Sequence, residues 1–561
     1  MNIIDISVIL IFTLLVVGCG LSFSSSGRDI KSFFSAGGAL PWWMSGLSLF
    51  MSFFSAGTFV VWGSIAYKHG WVAITIQWTM CLAGIIIGFW IAPKWNKTKV
   101  ITAAEFIRNR LGQRVQTVYT SIFIVISTFT TGAFLYPVAK IIEVATGLPI
   151  VSTIIALGLL ILFYTAVGGL WAVIVTDILQ FVVLTAAVLI VVPLALDQVG
   201  GVSGFIEKAP EGFFALSSGE YSWSFIFAFA LYNLFFIAGN WAYVQRYTSV
   251  ATPKDAKKVG WLFGGLYLIS PVIWMLAPMI YRVLNPDLAG TDDEGAYLLM
   301  CKAVLPIGML GLMLGGMIFA TSSSINTALN ITAGVITNDV FKFFRPNASQ
   351  NTLVKVGRIA TACLGLVTIG VALLVPYMGG VVEVVMTMAA FTGGALFLPP
   401  IWLLFSRFQN GFTILSTSIL TLLINAFFKF VSPSLLDISL SRSEEMLVGV
   451  LVPVFFLTVF ELYKRARNEQ AELYEEYTKI EQAKNVQEAP EEQQDHDTDN
   501  NKGSRVIGFG IFMTGLIMLG LSFLAEKGVF VVGLTATIVT LLGAVLLYRF
   551  RSTKASGATN A

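Results

Sequence analysis

Charge is what this 561-residue chain has least of: Asp, Glu, Lys and Arg make up 12% of it, about half the share of a soluble globular protein. So sparse a polar surface cannot cover a large water-soluble fold, and a soluble enzyme is excluded on that ground. Histidine is scarce as well, with 2 residues, His69 and His496, so chemistry built on imidazole has little to draw on. The 4 cysteines, Cys19, Cys81, Cys301 and Cys363, sit in apolar or span-edge segments without metal-type spacing, which argues against a disulfide framework or a zinc site. No basic stretch precedes the first apolar run; Arg28 and Lys31 follow it instead, so this run reads as a retained span with its N-terminus outside.

What the chain has in abundance is apolar length. Hydrophobic residues make up 56%, with 44 Phe, and apolar runs of about 20 residues, enough to cross a hydrocarbon core of roughly 30 Å, recur along almost the whole sequence. They are helix-length, unlike the roughly 10-residue alternating segments of a membrane barrel. The expected fold is an all-α polytopic membrane protein of about fifteen transmembrane helices between residues 3 and 549. Basic residues fall in alternate loops, for example Lys94 to Arg114, Lys254 to Lys258, Lys342 to Arg358, Lys464 to Arg467 and Arg549 to Lys554. The intervening loops are neutral or acidic, as at Asp292, Asp293 and Glu294. The positive-inside rule then gives an N-out, C-in protein of the cell (inner) membrane. The net charge of +3 reports this topology and no affinity for nucleic acid. One stretch departs from the pattern: 465–505, with "NVQEAPEEQQDHDTDNNKG", reads as a cytoplasmic acidic linker, followed by two C-terminal helices over 506–549.

Polar residues inside apolar spans carry the functional signal. In "GGMIFATSSSINTALN", Ala320, Ser323, Ser324 and Thr327 recur at i, i+3, i+4 and i+7 and share one helical face, bordered by Asn326. Such a face suits a hard cation that wants several neutral oxygens; it equally suits hydroxyls that back-bond within the helix or bridge helices. The residues alone leave the two readings even. Asp177, in "WAVIVTDILQFVVL", places an acid in an apolar segment, where it needs a partner or a function, unless the cytoplasmic end of its span hydrates it. Two spans carry interruptions at matching positions: Ser52, Ser55, Ala56, Gly57 and Thr58 in "GLSLFMSFFSAGTFVVWG", and Asn233, Gly239 and Asn240 in "FALYNLFFIAGNWAYVQR". If both helices break at mid-membrane, their freed carbonyls and half-helix ends form a binding site. Gly and Ser also serve plain close packing in unbroken spans.

At these residues the chain resembles the sodium/solute symporter family, which includes sodium-coupled transporters for sugars, sialic acid and proline. The segments that carry the likeness are "LPWWMSGLSLFMSFFSAGTF", "YTAVGGLWAVIVTDILQ", "VQRYTSV" and "ATSSSINTALN" with "TNDVFK". The resemblance implies a leucine-transporter-type fold: an extra N-terminal helix (1–30), inverted five-helix repeats over 41–196 and 222–406, and additional core helices over 411–463. It implies a sodium site on the carbonyls of Met51, Phe54 and Ala320 with the hydroxyls of Ser323 and Ser324, and a second site on Ser323, Asn326, Thr327 and Asp177. Asn326 stands where relatives with that second site have serine. For the substrate it implies Ser55, Thr58, Gln77, Asn233 and Tyr267, closed on the inner side by Phe236.

The implied partners are Na⁺, a small solute and the lipid bilayer, with no nucleic acid and no obligatory protein partner evident. The implied function is Na⁺-coupled uptake of a small polar solute by alternating access, with no enzymatic activity. Thr130 stands where sialic acid members place a carboxylate-binding Arg, which favours a neutral sugar or polyol. The alternatives are uptake of a carboxylate, such as sialic acid or an amino acid, and a solute sensor built on the same core.

Overall fold

A computed structural model describes residues 2–22, 40–100, 103–164, 170–288, 292–486 and 492–550; within these helices the side chains of a few positions, among them Ser323 and Thr327, lie outside the description. The described residues are almost entirely helical, and the β-pairing among them is limited to two isolated bridges, Leu40 with Val250 and Ser218 with Tyr221. Among the described residues, twelve helices are long and apolar enough to cross a membrane, and a pair bent by 60° makes a thirteenth. A broken segment from Trp42 to His69 and the short apolar helix Ile150–Tyr164 lie between them in the chain.

The order along the chain is as follows. Helix α1 (Ile3–Leu21) precedes a broken span made of α2 (Trp42–Met51) and α3 (Gly63–His69). Then come α4 (Val72–Lys97), the short α5 (Ala103–Leu111), α6 (Gln113–Thr146), α7 (Ile150–Tyr164) and α8 (Leu170–Val199). A second broken span follows, α9 (Trp223–Gly239) and α10 (Trp241–Thr248), then α11 (Pro253–Leu284). The next helices are α12 (Ala296–Val304), α13 (Met309–Val335), α14 (Gln350–Leu374) and α15 (Val381–Leu403). The core closes with α16 (Gly411–Leu435) and α17 (Arg442–Ala466); α18 (Tyr474–Val486), α19 (Glu492–Ser522) and α20 (Val529–Arg549) follow. Each set of five spans therefore opens on an interrupted helix.

Local chemistry sets these breaks and ends. Asn240 caps α10 by accepting the Ala242 amide at 3.0 Å, which stops α9 and fixes the 60° bend. Gly239, the last residue of α9, has Phe397 backbone oxygen where a Cβ would sit, so only glycine lets α9 press against α15. The stretch from residue 296 to 335 is divided in two. Leu305 leaves the helix in an extended conformation before Pro306, Gly308 adopts φ +84, and α13 begins only at Met309. Asp5 of α1 then accepts the amides of Gly308 (2.9 Å) and Gly311 (3.2 Å), capping α13.

The loop charges sort by end. Lys94 donates to the Leu404 carbonyl (3.2 Å), Arg110 to those of Leu403 and Ser406, and the Ala471 amide to that of Arg407 (3.0 Å), so these basic loops meet at one face. At the opposite face Asp293 takes Ser64 and Lys68 (3.0 Å), while Glu294 takes Tyr136 (3.0 Å) and the Val381 amide (2.8 Å). Burial pushes the Glu294 carboxyl above its ordinary pKa, and the Val381 and Tyr136 hydrogen bonds pull it partly back. The 465–505 stretch is not uniformly irregular: α17 ends at Ala466 and α18 is a separate helix lying against α5. The two last helices pack on each other and on α8, with Gly510 tight against Leu179.

Candidate functional site

The site begins at the break between α2 and α3. Residues 52–55 leave the helical ladder, and the Thr58 side chain fills the gap: its hydroxyl donates to the Phe53 carbonyl and accepts the Ser55 amide at 3.2 Å. The Thr58 amide itself bonds the Ser55 carbonyl at 3.0 Å. Both amides that would cover Met51 and Phe54 in a continuous helix, four residues further on, are thus committed elsewhere, which frees those two carbonyls.

Helix α13 faces it. Thr321 accepts the Ala56 amide at 3.1 Å and donates to the Met317 carbonyl at 3.0 Å, fastening the far side of the break to α13 one residue from Ala320. Ser324 turns its hydroxyl to the Ala320 carbonyl at 3.2 Å and lines the central cavity, so two of the expected ligands adjoin. Ser322 makes the same kind of i−4 bond, to the Ile318 carbonyl at 2.7 Å, but is buried away from the cavity wall. The side chains of Ser323 and Thr327 lie outside the described residues, and Asn326 is half-buried. Thr321 was missed in the sequence, although it opens the hydroxyl run, because it lies off the face that Ala320, Ser323 and Ser324 share.

Asp177 is 6% exposed and does not stand alone. It accepts the Ser48 hydroxyl at 2.6 Å and faces Arg246 at 4.0 Å, while Arg246 Nε donates to Ser48 at 3.0 Å and Nη1 to Gln245 at 3.1 Å. The buried acid has therefore found a cation, which ties α8, α2 and α10 together. Arg246 also reaches the wall of the cavity, a position the sequence reading left without any arginine.

A cavity of about 220 Å³ lies between the two breaks. Of the expected substrate residues, Ser55, Thr58, Asn233, Phe236 and Tyr267 line it, joined by the hydroxyls of Ser127, Thr130, Thr131 and Thr392. Asn233 is oriented by donating to Thr79 at 2.8 Å. Phe236 sits in an aromatic layer with Phe53 (6.1 Å), Tyr243 (5.4 Å) and Phe397 (5.1 Å). Gln77 is the exception: it is 1% exposed, is not part of the cavity wall, and its amide has no hydrogen-bond partner among the described residues. The described residues contain no group of three or more His, Cys, Asp or Glu side chains suited to a metal.

Residues 33–413 match the model of the sodium:solute symporter family. The chain belongs to that family. Sodium is accordingly its coupling ion. Its relatives include a sodium/glucose cotransporter of Vibrio parahaemolyticus, 27% identical over 429 residues, covering 70% of this chain and 78% of that protein. Another is sodium/glucose cotransporter 1 of Ovis aries, 28% identical over 419 residues; the match covers 66% of this chain and 62% of the sheep protein. A solved structure of a Na⁺-coupled sialic acid symporter in a substrate-bound outward-open state superposes with a TM-score of 0.67 at 21% identity, over 82% of this chain and 98% of that one. The symporter thus has the leucine-transporter-type arrangement, with its two interrupted helices facing each other across the cavity. The family and these relatives are transporters.

Proposed function

We propose that this symporter couples inward Na⁺ flow to uptake of a small neutral polyhydroxylated solute, a sugar or polyol, by alternating access. The observation that carries the reading is the freed pair of carbonyls at Met51 and Phe54, fastened by the Thr321 contact beside Ala320 and Ser324. Sodium binds there, on Met51, Phe54, Ala320, Ser323 and Ser324; it orders the break, and the ordered break presents Ser55 and Thr58 to the solute. Coupling is this reciprocal stabilisation. A membrane potential of about 100 mV adds roughly 2.3 kcal/mol per inward Na⁺, a factor of nearly fifty in accumulation. A single ion therefore suffices; a second site would fall on Ser323, Asn326, Thr327 and Asp177, whose Oδ2 already takes Ser48 and faces Arg246.

The neutral preference rests on the cavity wall, where eleven Ser, Thr and Asn side chains meet and, among the described residues, the charged groups Asp177 and Arg246 face each other, Arg246 being held by Ser48 and Gln245 as well. Arg246 is also the observation that favours a second reading, uptake of a carboxylate. The protein sits in the cell (inner) membrane with N-terminus outside and the basic-loop face cytoplasmic; 41–196 and 222–406 are its inverted repeats.

The test is a thermal-stabilisation screen of the purified protein against sugars, polyols and organic acids in Na⁺ or K⁺, followed by uptake of each hit into proteoliposomes. Hits are expected among neutral polyhydroxylated compounds and only with Na⁺. Sodium-independent hits would refute symport, and tight binding of carboxylates alone would refute the neutral preference.

A further inference from the structure

Helix α18 lies beyond the family match and is not needed for the sodium or solute sites. Its contacts nevertheless lead to them. Arg110 of α5 is 1% exposed, and its Nη2 donates to the carbonyls of Leu403 (3.2 Å) and Ser406 (2.6 Å) at the end of α15. Its Nε and Nη1 have no hydrogen-bond partner among the described residues. What covers this guanidinium is α18: Tyr474 and Tyr477 place their rings 4.7 and 5.1 Å from its central carbon. A permanently charged group with two unbonded nitrogens needs such cation–π cover when it is taken out of water.

From there a line of rings runs inward. Tyr477 packs edge-on to Phe106 at 5.8 Å, and Phe106 edge-on to Trp95 at 4.9 Å. The Trp95 indole, fully buried, donates to the Ala238 carbonyl at 2.8 Å. That carbonyl belongs to the last turn of α9, and Asn240 and Ala242, just past the break, line the cavity. Just before α18, the Ala471 amide bonds the Arg407 carbonyl and the Leu473 side chain lies against Gly112.

We propose that Phe106, Arg110 and the carbonyls of Leu403 and Ser406 form a docking surface whose partner is the chain's own helix α18, and that seating α18 holds the basic-loop end of the cavity closed. The two-state element is α18, docked or released. With it docked, Trp95 is wedged by Phe106 against the Ala238 carbonyl, α10 stays fixed, and the cavity is sealed on that side. With it released, Arg110 and Phe106 lose their cover, and α10 is free to swing away from α4. The reading concerns the gate and stands apart from the identity of the solute.

Thiol accessibility tests it without any solute. In full-length protein in nanodiscs, with Cys363→Ser removing the exposed cysteine, Ala242→Cys is labelled with a membrane-impermeant methanethiosulfonate. Tyr477→Ala is expected to raise the labelling rate about fivefold, the effect of a modest shift in a docking equilibrium. Tyr477→Phe keeps the ring and should keep the slow rate. An unchanged rate in Tyr477→Ala overturns the proposal. A parallel series with and without Na⁺ reads the sodium site separately: loss of the Na⁺ effect alone refutes symport and leaves the gate standing.

Discussion

Replacing Thr321 by Val keeps the shape of the side chain and deletes one oxygen. That oxygen accepts the buried Ala56 amide at 3.1 Å, the contact that holds the far side of the α2–α3 break against α13. Leaving a buried amide unpaired costs about 1–3 kcal/mol. If half of that is spent on the ordered break that Na⁺ requires, the sodium Kd rises roughly two- to thirteenfold. Stabilisation by a bound ion is RT ln(1 + [Na⁺]/Kd), so at 100 times the parent Kd it falls from about 2.7 to between about 2.2 and 1.3 kcal/mol. Melting curves of purified protein over a Na⁺ series at constant ionic strength, balanced with K⁺, give this number directly. Thr321→Ser keeps the acceptor and should track the parent. If Thr321→Val melts lower in K⁺ yet shows the parent's half-saturating Na⁺, the contact serves packing only and the sodium site has been placed wrongly.

Three further outcomes follow from the same geometry. Ser324→Ala should weaken the Na⁺ dependence of stability several-fold, while Ser322→Ala, whose hydroxyl bonds the Ile318 carbonyl away from the break, should leave it unchanged; equal effects would remove the ion-ligand assignment. Arg246→Ala leaves Asp177 as a buried charge facing only Ser48 and should cost about 3–5 kcal/mol. Adding Asp177→Asn should recover much of that in a melting-temperature double-mutant cycle, and additivity would refute the pairing. Glu294 holds its proton to higher pH in the folded protein than in the unfolded one, because burial raises its carboxyl. Its contribution is therefore fully present below the unfolded value and is lost as pH rises through the folded value. Glu294→Gln should flatten that part of the stability profile across mildly acidic pH; an identical slope in the variant would rule Glu294 out as its source.

What was legible in the sequence was whatever depends on neighbours along the chain. Apolar runs gave the spans, and Ser52 to Thr58 and Gly239–Asn240 marked the breaks, because hydroxyls, glycine and asparagine compete with the helical ladder within a few residues of themselves. The cavity wall at Ser55, Thr58, Asn233, Phe236 and Tyr267 followed from position by resemblance. Contacts made across the fold were not legible. Asp177 announced that it needed a partner, but Ser48 and Arg246 lie 129 and 69 residues away in the sequence, and no periodicity selects them. Gln77 matched by position, yet its side chain sits outside the cavity wall, since one helical turn decides whether a group faces a pocket or a neighbour. Helix α18 hid inside a polar stretch because it docks through Tyr474 and Tyr477 on the charged Arg110 rather than through an apolar run.

The cap that Asp5 places on α13 bears on the register of that helix. The acid lies 303 residues before the glycine amide it receives, so the first turn of the helix that carries Ala320 and Ser324 is pinned by a distant part of the chain, and loosening α1 would free that turn to shift in register against its neighbours.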